Sequence, residues 1–147
     1  MATEIELGWL AGILDGEGCI CGCWSNRRNG IGGNVYVEVR VESCSVAMIV
    51  KVAMICADIG VHTAVENDRF QKGATRTSHR VLVSRREDVL KLLRTIRPYL
   101  VVKQAEANVA VEFYERFGDQ RRSRQGRATL NEKVALFDTL RSLKKIA

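Results

Sequence analysis

The 147-residue chain lacks the features of several protein classes. It contains one proline, which argues against proline-rich linkers, and no apolar run approaches the ~18 residues that a membrane-spanning helix needs. The residues from Met1 to Glu4 include no basic segment ahead of an apolar one, so we expect no signal peptide. A chain of this length buries roughly 68–70% of its unfolded surface, so the sequence predicts a single domain over residues 1–147.

The cysteine content indicates a reducing environment. The cysteines are odd in number, and three of them alternate along one short segment: Cys19, Cys21, Cys23, Cys44 and Cys56. This pattern is a poor disulfide framework, so we expect an intracellular protein, although the sequence does not indicate its compartment. The alternating trio does not have the Cys-x₂-Cys spacing of structural zinc sites, and both histidines are distant in sequence. We interpret the trio as small residues on a sheet face.

Positive charge outweighs negative charge, with a net charge of +6 and a pI of about 9.3. This balance weakly favours a polyanionic partner. Arginine is concentrated between Gly118 and Arg127, at Arg121, Arg122, Arg124 and Arg127. A solvated loop is the simplest interpretation of this segment. In a nucleic-acid-binding protein the same loop would contact phosphates and give affinity without sequence specificity.

Capping and turn signals divide the chain into helices and strands. Thr3 and Glu6 predict a capping box, and the helix after them should end near Gly16 or Gly18. Strict alternation over Val35–Glu42 predicts a strand with one buried and one wet face. Further predictions are a strand over 19–26, a helix from 43–45 to 60, strands over 61–66 and 80–83, a helix opened by a capping box at 84–87, a helix over about 99–117 and a last helix capped at 129–132. This order predicts an α+β fold with one antiparallel sheet backed by helices.

The most informative segment is Leu10-Ala11-Gly12-Ile13-Leu14-Asp15-Gly16-Glu17-Gly18. Gly12 and Gly16 lie four residues apart in an apolar helix, where each costs roughly 1 kcal/mol against alanine, so we expect a second helix to approach closely. Glu17 beside the unhindered carbonyl of Gly16 is half of a site for a hard cation such as Mg²⁺. The simpler alternative is that Asp15 and Glu17 are solvated acids at a helix end.

These nine residues resemble the LAGLIDADG motif of homing endonucleases. Five positions are identical, and the others are conservative replacements; the identical residues are Leu10, Ala11, Gly12, Asp15 and Gly18. The predicted element order also fits the αββαββα core and sheet saddle of that family over about residues 3–117. A basic loop and a C-terminal helix then follow over 118–147. The segment from Arg97 to Asn108 resembles the family's segment that supplies a basic active-site lysine, here Lys103.

The resemblance implies a site-specific endonuclease that binds a long, nearly palindromic DNA duplex as a homodimer. It implies cleavage of both strands with Mg²⁺, for which Mn²⁺ can substitute. Glu17 and the Gly16 carbonyl would hold the metal, Lys103 would stabilise charge or orient water, and Ser43 or Glu42 would position water. One motif per chain supplies one acid, so two motif helices should pack together. The residues of that interface would be Leu10, Ala11, Gly12, Asp15 and Gly16.

The wet face of the sheet would lie in the DNA major groove, where Arg40 suits guanine and Glu38 can accept a hydrogen bond from cytosine. The candidate DNA-binding residues are Cys21, Cys23, Ser25, Arg27, Tyr36, Glu38, Arg40, Glu42, Asn67, Arg76, Arg80, Arg121, Arg122 and Arg124. The alternative is that these are ordinary solvent-facing residues. Such enzymes are usually encoded in introns. Two other functions of the same fold are an RNA maturase that assists intron splicing and a DNA-binding regulator that does not cleave.

Overall fold

The computed structural model describes residues 1–25, 34–69, 77–117 and 130–146. Within these residues the chain forms five α-helices, four strands and one short 3-10 turn. In chain order they are α1 (Glu4–Glu17), β1 (Gly18–Ser25), β2 (Asn34–Ser43), α2 (Val46–Asp58), β3 (Ala64–Arg69), β4 (Ser78–Val83), α3 (Arg86–Ile96), the 3-10 turn (Arg97–Tyr99), α4 (Gln104–Phe117) and α5 (Leu130–Ile146). No helix in the described part of the chain has the length and apolar character needed to cross a membrane.

The four strands form one antiparallel sheet in the order β1-β2-β4-β3. The register pairs Ile20 with Val39, and Val41 with Val81. This arrangement confirms the predicted α+β fold with a single antiparallel sheet. The long central strand β2 therefore fixes the position of β1 on one side and β4 on the other.

The alternation of β2 separates a buried face of the sheet from an outer face. Val35, Val37, Val39 and Val41 are at most 4% exposed, and α1, α2 and α3 pack on their side of the sheet. Helices α4 and α5 pack on each other, and α5 reaches the edge strand β1. The buried hydroxyl of Tyr114 on α4 accepts a hydrogen bond of 2.8 Å from the Val37 amide. This bond ties α4 to the part of β2 that extends beyond β4.

Local signals explain where the first two helices begin and end. The predicted capping box is confirmed, because Thr3 Oγ1 accepts from the Glu6 amide while the Glu6 carboxylate accepts from the Thr3 amide. Ser45 caps α2 by accepting from the Met48 amide, and Gly60 stops that helix with a φ of 78°. Glycine adopts this left-handed conformation at little cost, so the sequence marks the end of α2.

Three predicted boundaries are wrong. Strand β3 covers Ala64–Arg69 instead of 61–66, because its pairing with β4 sets its register. Helix α3 is preceded by Arg85 as the capping residue, without a side-chain hydrogen bond, so the predicted capping box at 84–87 does not form. Helix α4 begins at Gln104 instead of about Tyr99, because residues 101–103 bind to the end of α1.

Candidate active site

The first helix runs directly into the first strand, which places its C-terminal tip at the end of the sheet. Gly18 is extended, with φ −99° and ψ 173°, and its amide donates to the Leu14 carbonyl. A Cβ at Gly18 would lie 2.7 Å from the Leu14 carbonyl oxygen and 2.8 Å from Leu14 Cα. These contacts are with backbone atoms, so only glycine fits. The last glycine of the motif therefore allows the sharp passage from α1 to β1.

The tip presents a carboxylate that the chain itself does not neutralise. Glu17 is exposed and forms no hydrogen bond or ion pair with any residue in the described ranges. The last turn of α1 contains no basic residue. A helix C-terminus carries about half a negative charge, so an acid at this end is unfavourable unless a cation is nearby. The exposed Glu17 carboxylate and the adjacent Gly16 carbonyl are hard oxygen ligands that suit Mg²⁺.

The other acid of the tip, Asp15, holds a distant part of the chain. Its Oδ2 accepts from the Val101 amide at 2.8 Å, and its Oδ1 accepts from the Lys103 amide at 2.9 Å. The Lys103 side chain then donates from Nζ to the Asp15 carbonyl oxygen at 2.6 Å. An ammonium group at a helix C-terminus is favourable. Asp15 thus holds the Lys103 ammonium group at its own carbonyl, next to the Gly16 position in the chain.

One face of α1 is open along its whole length. A Cβ at Gly8, Gly12 or Gly16 would find no atom within 4 Å, and Ile5 on the same side is 86% exposed. These positions repeat every three or four residues, so they form a continuous stripe that we call the glycine face. Gly12 and Gly16 were predicted to line such a face, whereas Gly8, which has the same four-residue spacing, was not.

The outer face of the sheet carries paired charges. Arg40 Nε lies 3.3 Å from Glu38 Oε1, and Arg80 Nη2 lies 2.6 Å from Glu66 Oε2. The Glu42 carboxylate accepts from Ser78 Oγ at 2.8 Å. Burial raises the pKa of Glu38, and Arg40 partly offsets this rise. In the described part of this face, three carboxylates are therefore balanced by two guanidinium groups and by the ammonium group of Lys144, which contacts Cys19.

Comparisons with known proteins give matches only at the level of structure. No family model matches the sequence, and no curated protein matches it. The structure is similar to that of the homing endonuclease I-CvuI in complex with uncleaved DNA, with a TM-score of 0.74 and 20% identity, covering 95% of this chain and 82% of that one. An archaeal intron-encoded homing endonuclease complexed with DNA has a TM-score of 0.68 and 13% identity, covering 98% and 85%.

A third structure carries the motif in its name. The LAGLIDADG homing endonuclease I-SmaMI, bound to cleaved DNA, has a TM-score of 0.65 and 14% identity, covering 89% of this chain and 42% of that one. The chain has the LAGLIDADG homing endonuclease fold. The fold expected from the nine-residue motif is thus confirmed, and in this LAGLIDADG fold the motif forms the second half of α1 and the first residue of β1.

Three of the predicted interface residues of the LAGLIDADG helix have contacts within the single chain. Leu10 is 2% exposed and Ala11 is fully buried, both within the chain's own core. A helix turns about 100° per residue, which places Leu10 opposite the glycine face and Ala11 away from it. Both Asp15 carboxylate oxygens are bound within the chain. Gly12 and Gly16 remain as candidate interface residues.

The two candidates for positioning water both have contacts within the LAGLIDADG domain. Val41 pairs with Gly18, so Glu42 and Ser43 continue β2 beside the tip of α1. Glu42 is on the outer face and is bound by Ser78. Ser43 points to the opposite face, and its Oγ accepts from the Ser45 amide at 3.0 Å, next to the start of α2. Both side chains are half-buried.

The cysteines of β1 occupy the outer face, as the alternation predicts. Cys19, Cys21 and Cys23 pair with Arg40, Glu38 and Tyr36. Cys21 is only 8% exposed, which leaves little of its side chain for a base contact. Lys144 Nζ donates to Cys19 Sγ at 3.2 Å, and the two sulfur atoms of Cys19 and Cys21 lie 2.9 Å apart. The thiol of Cys21 lowers the pKa of Cys19 by hydrogen bonding, and the same bond, with burial, raises the pKa of Cys21.

Several candidate DNA-binding residues lie outside the described part of the structure. They are Arg27, Arg76, Arg121, Arg122, Arg124 and the side chain of Ser25. Of the remaining candidates, Asn67 is exposed at an irregularity in β3, and Tyr36 is half-buried. Among the described residues, no three histidine, cysteine, aspartate or glutamate side chains come together to hold a metal. A metal at the tip would therefore need ligands beyond the Glu17 carboxylate and the Gly16 carbonyl.

Proposed function

We propose that this chain is a site-specific DNA endonuclease that acts as a homodimer and uses a divalent metal, preferentially Mg²⁺, to cut both strands of a duplex. The observation that carries the proposal is the tip of α1. There an unneutralised Glu17, the Gly16 carbonyl and the ammonium group of Lys103 lie next to one another at the end of an open helix face. The similar folds solved with DNA support the same conclusion.

The residues of the tip have separable roles in hydrolysis. Glu17 and the Gly16 carbonyl bind the metal, which when bound polarises a phosphate and lowers the pKa of the attacking water. Lys103, held over the Asp15 carbonyl, brings a fixed positive charge to the side of the tip where a phosphate oxygen would gain negative charge. Asp15 contributes indirectly, because its two backbone contacts keep the Lys103 segment in place.

The outer face of the sheet suits base recognition better than phosphate binding. Its carboxylates can accept hydrogen bonds from cytosine, and its guanidinium groups can bind guanine in the major groove. The charges described on this face are balanced, so it has no excess of positive charge to attract the phosphate backbone. The net charge of +6 must therefore act elsewhere, and the arginine-rich segment over 118–127 supplies the cations that we assign to phosphate contacts.

The homodimer follows from the glycine face and from the single carboxylate. Glycines at helical spacing permit two helices to approach closely, and no described residue lies within 4 Å of a Cβ built at Gly8, Gly12 or Gly16. Two copies related by a two-fold axis that runs along the seam, with their α1 helices pointing in the same direction, would bring two Glu17 tips together, one for each DNA strand. The DNA site should then be nearly palindromic.

The decisive experiment is cleavage of a randomised duplex library by the purified chain with Mg²⁺. Glu17→Gln should abolish cleavage while the protein remains folded. Glu4→Gln is the matched control, because it makes the same chemical change on an exposed acid at the other end of α1. Replacing Mg²⁺ with Ca²⁺ separates binding from cleavage. Cleavage by Glu17→Gln at the wild-type rate would refute the mechanism.

The other outcomes distinguish the alternative functions. Selective retention of duplexes without any cut, with every metal, would favour a DNA-binding regulator. Failure to retain duplex DNA together with retention of intron RNA would favour a maturase. Either result would overturn the endonuclease proposal, while the fold would stand.

A further inference from the structure

The thiols of Cys19 and Cys21 form a close pair that the proposed cleavage mechanism does not use. Their Sγ atoms are 2.9 Å apart on the outer face of the sheet. Lys144 of α5 donates a hydrogen bond to Cys19 Sγ at 3.2 Å, which joins this pair to the last helix. All five cysteines of the chain are reduced in the structure. Two thiols at this distance can react with each other once one of them is oxidised.

We propose that Cys19 and Cys21 are a reversible thiol-oxidation site, at which a hydroperoxide converts the pair to a disulfide within β1. Cys19 is the more exposed of the two thiols, whereas Cys21 is 8% exposed. The oxidant therefore reaches Cys19 first, and Cys21 is placed to react with the oxidised sulfur. The site is distinct from Cys44, which is exposed, and from Cys56, which is a buried residue of α2.

The oxidation is balanced with hydrogen peroxide as the oxidant. The Cys19 sulfur attacks one peroxide oxygen, the O–O bond breaks, and the product is a sulfenic acid with release of one water that carries the thiol proton. The Cys21 sulfur then attacks the Cys19 sulfur, and the S–O bond breaks as the Cys21 proton leaves in a second water. Each sulfur loses one electron to the two peroxide oxygens, and a small dithiol reverses the reaction by exchange.

The position of the pair in a strand makes the disulfide strained. Residues two apart in an extended strand have Cα atoms about 6.6–6.8 Å apart. Disulfides span about 4.4–6.8 Å between Cα atoms, so β1 must shorten toward the usual value. Shortening β1 should disturb the strand pairing of Cys19 with Arg40 and of Cys21 with Glu38. It should also change the hydrogen bond that Lys144 donates to the Cys19 sulfur. Strained disulfides are the easily reduced ones, as a reversible site requires.

A mass measurement on the intact folded chain tests the site directly. The protein is treated with one equivalent of hydrogen peroxide, free thiols are blocked with N-ethylmaleimide, and the tryptic peptide from Met1 to Arg27, which holds all three thiols of β1, is fragmented. We expect loss of two hydrogens and only one blocked thiol, Cys23. Dithiothreitol before blocking should restore three blocked thiols.

Single substitutions determine which sulfur atoms are joined. Cys19→Ser and Cys21→Ser should each abolish the disulfide, whereas Cys23→Ser, the matched control on the same face, should retain it. A disulfide between Cys21 and Cys23, or irreversible oxidation of Cys19 with Cys21 still free, would overturn the proposal.

A second readout depends on the proposed function. Oxidised wild-type protein should lose several-fold in the rate of DNA cleavage and recover it with dithiothreitol, and Cys21→Ser should not respond in this way. Equal cleavage by the oxidised and reduced forms would refute an effect of the disulfide on the outer face. Absence of cleavage in both forms would count against the proposed function, and the mass measurement would still decide the oxidation site.

Discussion

Replacement of Gly12 with leucine should have opposite effects on the single chain and on the dimer. Within the chain, a side chain at this position meets no atom within 4 Å of its Cβ, so it can extend into solvent. Leucine is a far better helix former than glycine, and the exchange should stabilise a lone chain by about 0.5–1 kcal/mol. Only a second chain packed on the glycine face would make the larger residue unfavourable.

The predicted loss of association is larger than this gain. A residue forced into a packed interface costs typically about 1–3 kcal/mol, and a two-fold axis places two copies of Gly12→Leu in the same seam. The two leucine side chains should therefore weaken the free energy of dimerisation by about 2–6 kcal/mol, which raises the dimer dissociation constant by at least ~30-fold.

Two measurements on the same variant test this reasoning. Denaturant unfolding at concentrations where the chain is monomeric should show a higher unfolding midpoint for Gly12→Leu than for wild type. Sedimentation over a range of concentrations should show weaker dimerisation. An unchanged dissociation constant would refute the glycine face as the interface. A lower unfolding midpoint would refute the inference that this face is open in the chain.

Three further predictions, which use four substitutions, test the tip and its surroundings. Gly18→Ala should destabilise the fold by about 1–3 kcal/mol in denaturant unfolding, because its Cβ meets the Leu14 backbone; no loss of stability would refute that contact. Asp15→Ala removes two hydrogen bonds to a carboxylate and should lower the free energy of unfolding by about 1.5–3 kcal/mol. Glu17→Ala is the control: it breaks no bond to a described residue, so its free energy of unfolding should stay within ~0.5 kcal/mol of the wild-type value. Burial raises the pKa of Glu106 above its ordinary value of 4.5, so the charged carboxylate destabilises the fold at pH 7. Glu106→Gln should therefore stabilise the fold at pH 7, and this gain should disappear as the pH falls toward 4.5, where the carboxyl is protonated in the folded state. A loss of stability at pH 7 would contradict this prediction.

Short-range signals predicted most of the fold. The capping box at Thr3, the cap at Ser45 and the glycine after α2 are local features, and the structure confirms each of them. The alternation of β2 likewise predicted which face is buried. Two of the three errors, the bounds of β3 and the start of α4, concern boundaries set by distant residues, whereas the capping box at 84–87 is a local signal that was wrong. Helix α4 begins late because Asp15, far away in the sequence, takes the amides of Val101 and Lys103.

The candidate site could be predicted only in part. The resemblance of the motif selected Glu17, Gly16 and Lys103, and the structure places these three residues beside one another; their chemical roles stay predictions. The contact of Asp15 with the Lys103 segment could not be foreseen, because no local pattern indicates which amides a carboxylate will bind. The buried Glu106 was also missed, since a glutamate near a helix start is usually solvated. Its Oε2 lacks a hydrogen-bond partner among the described residues, and the positive charges of Lys144 and Lys103 offset part of the rise in its pKa that burial causes.

The electrostatics of the tip link metal binding to dimer formation. Each α1 ends in about half a negative charge from its dipole together with the Glu17 carboxylate, and Lys103 offsets part of this charge from one side. Packing two glycine faces would bring two such ends together, where they repel each other. A divalent cation at the tips removes this repulsion, so the cation and the second chain should each favour the binding of the other by the same factor. Mg²⁺ should therefore tighten the dimer in sedimentation, and Glu17→Gln, which removes the repelling charges, should dimerise without responding to Mg²⁺. Dimerisation of the wild-type chain that is independent of Mg²⁺ would show that the two tips lie too far apart to share one site.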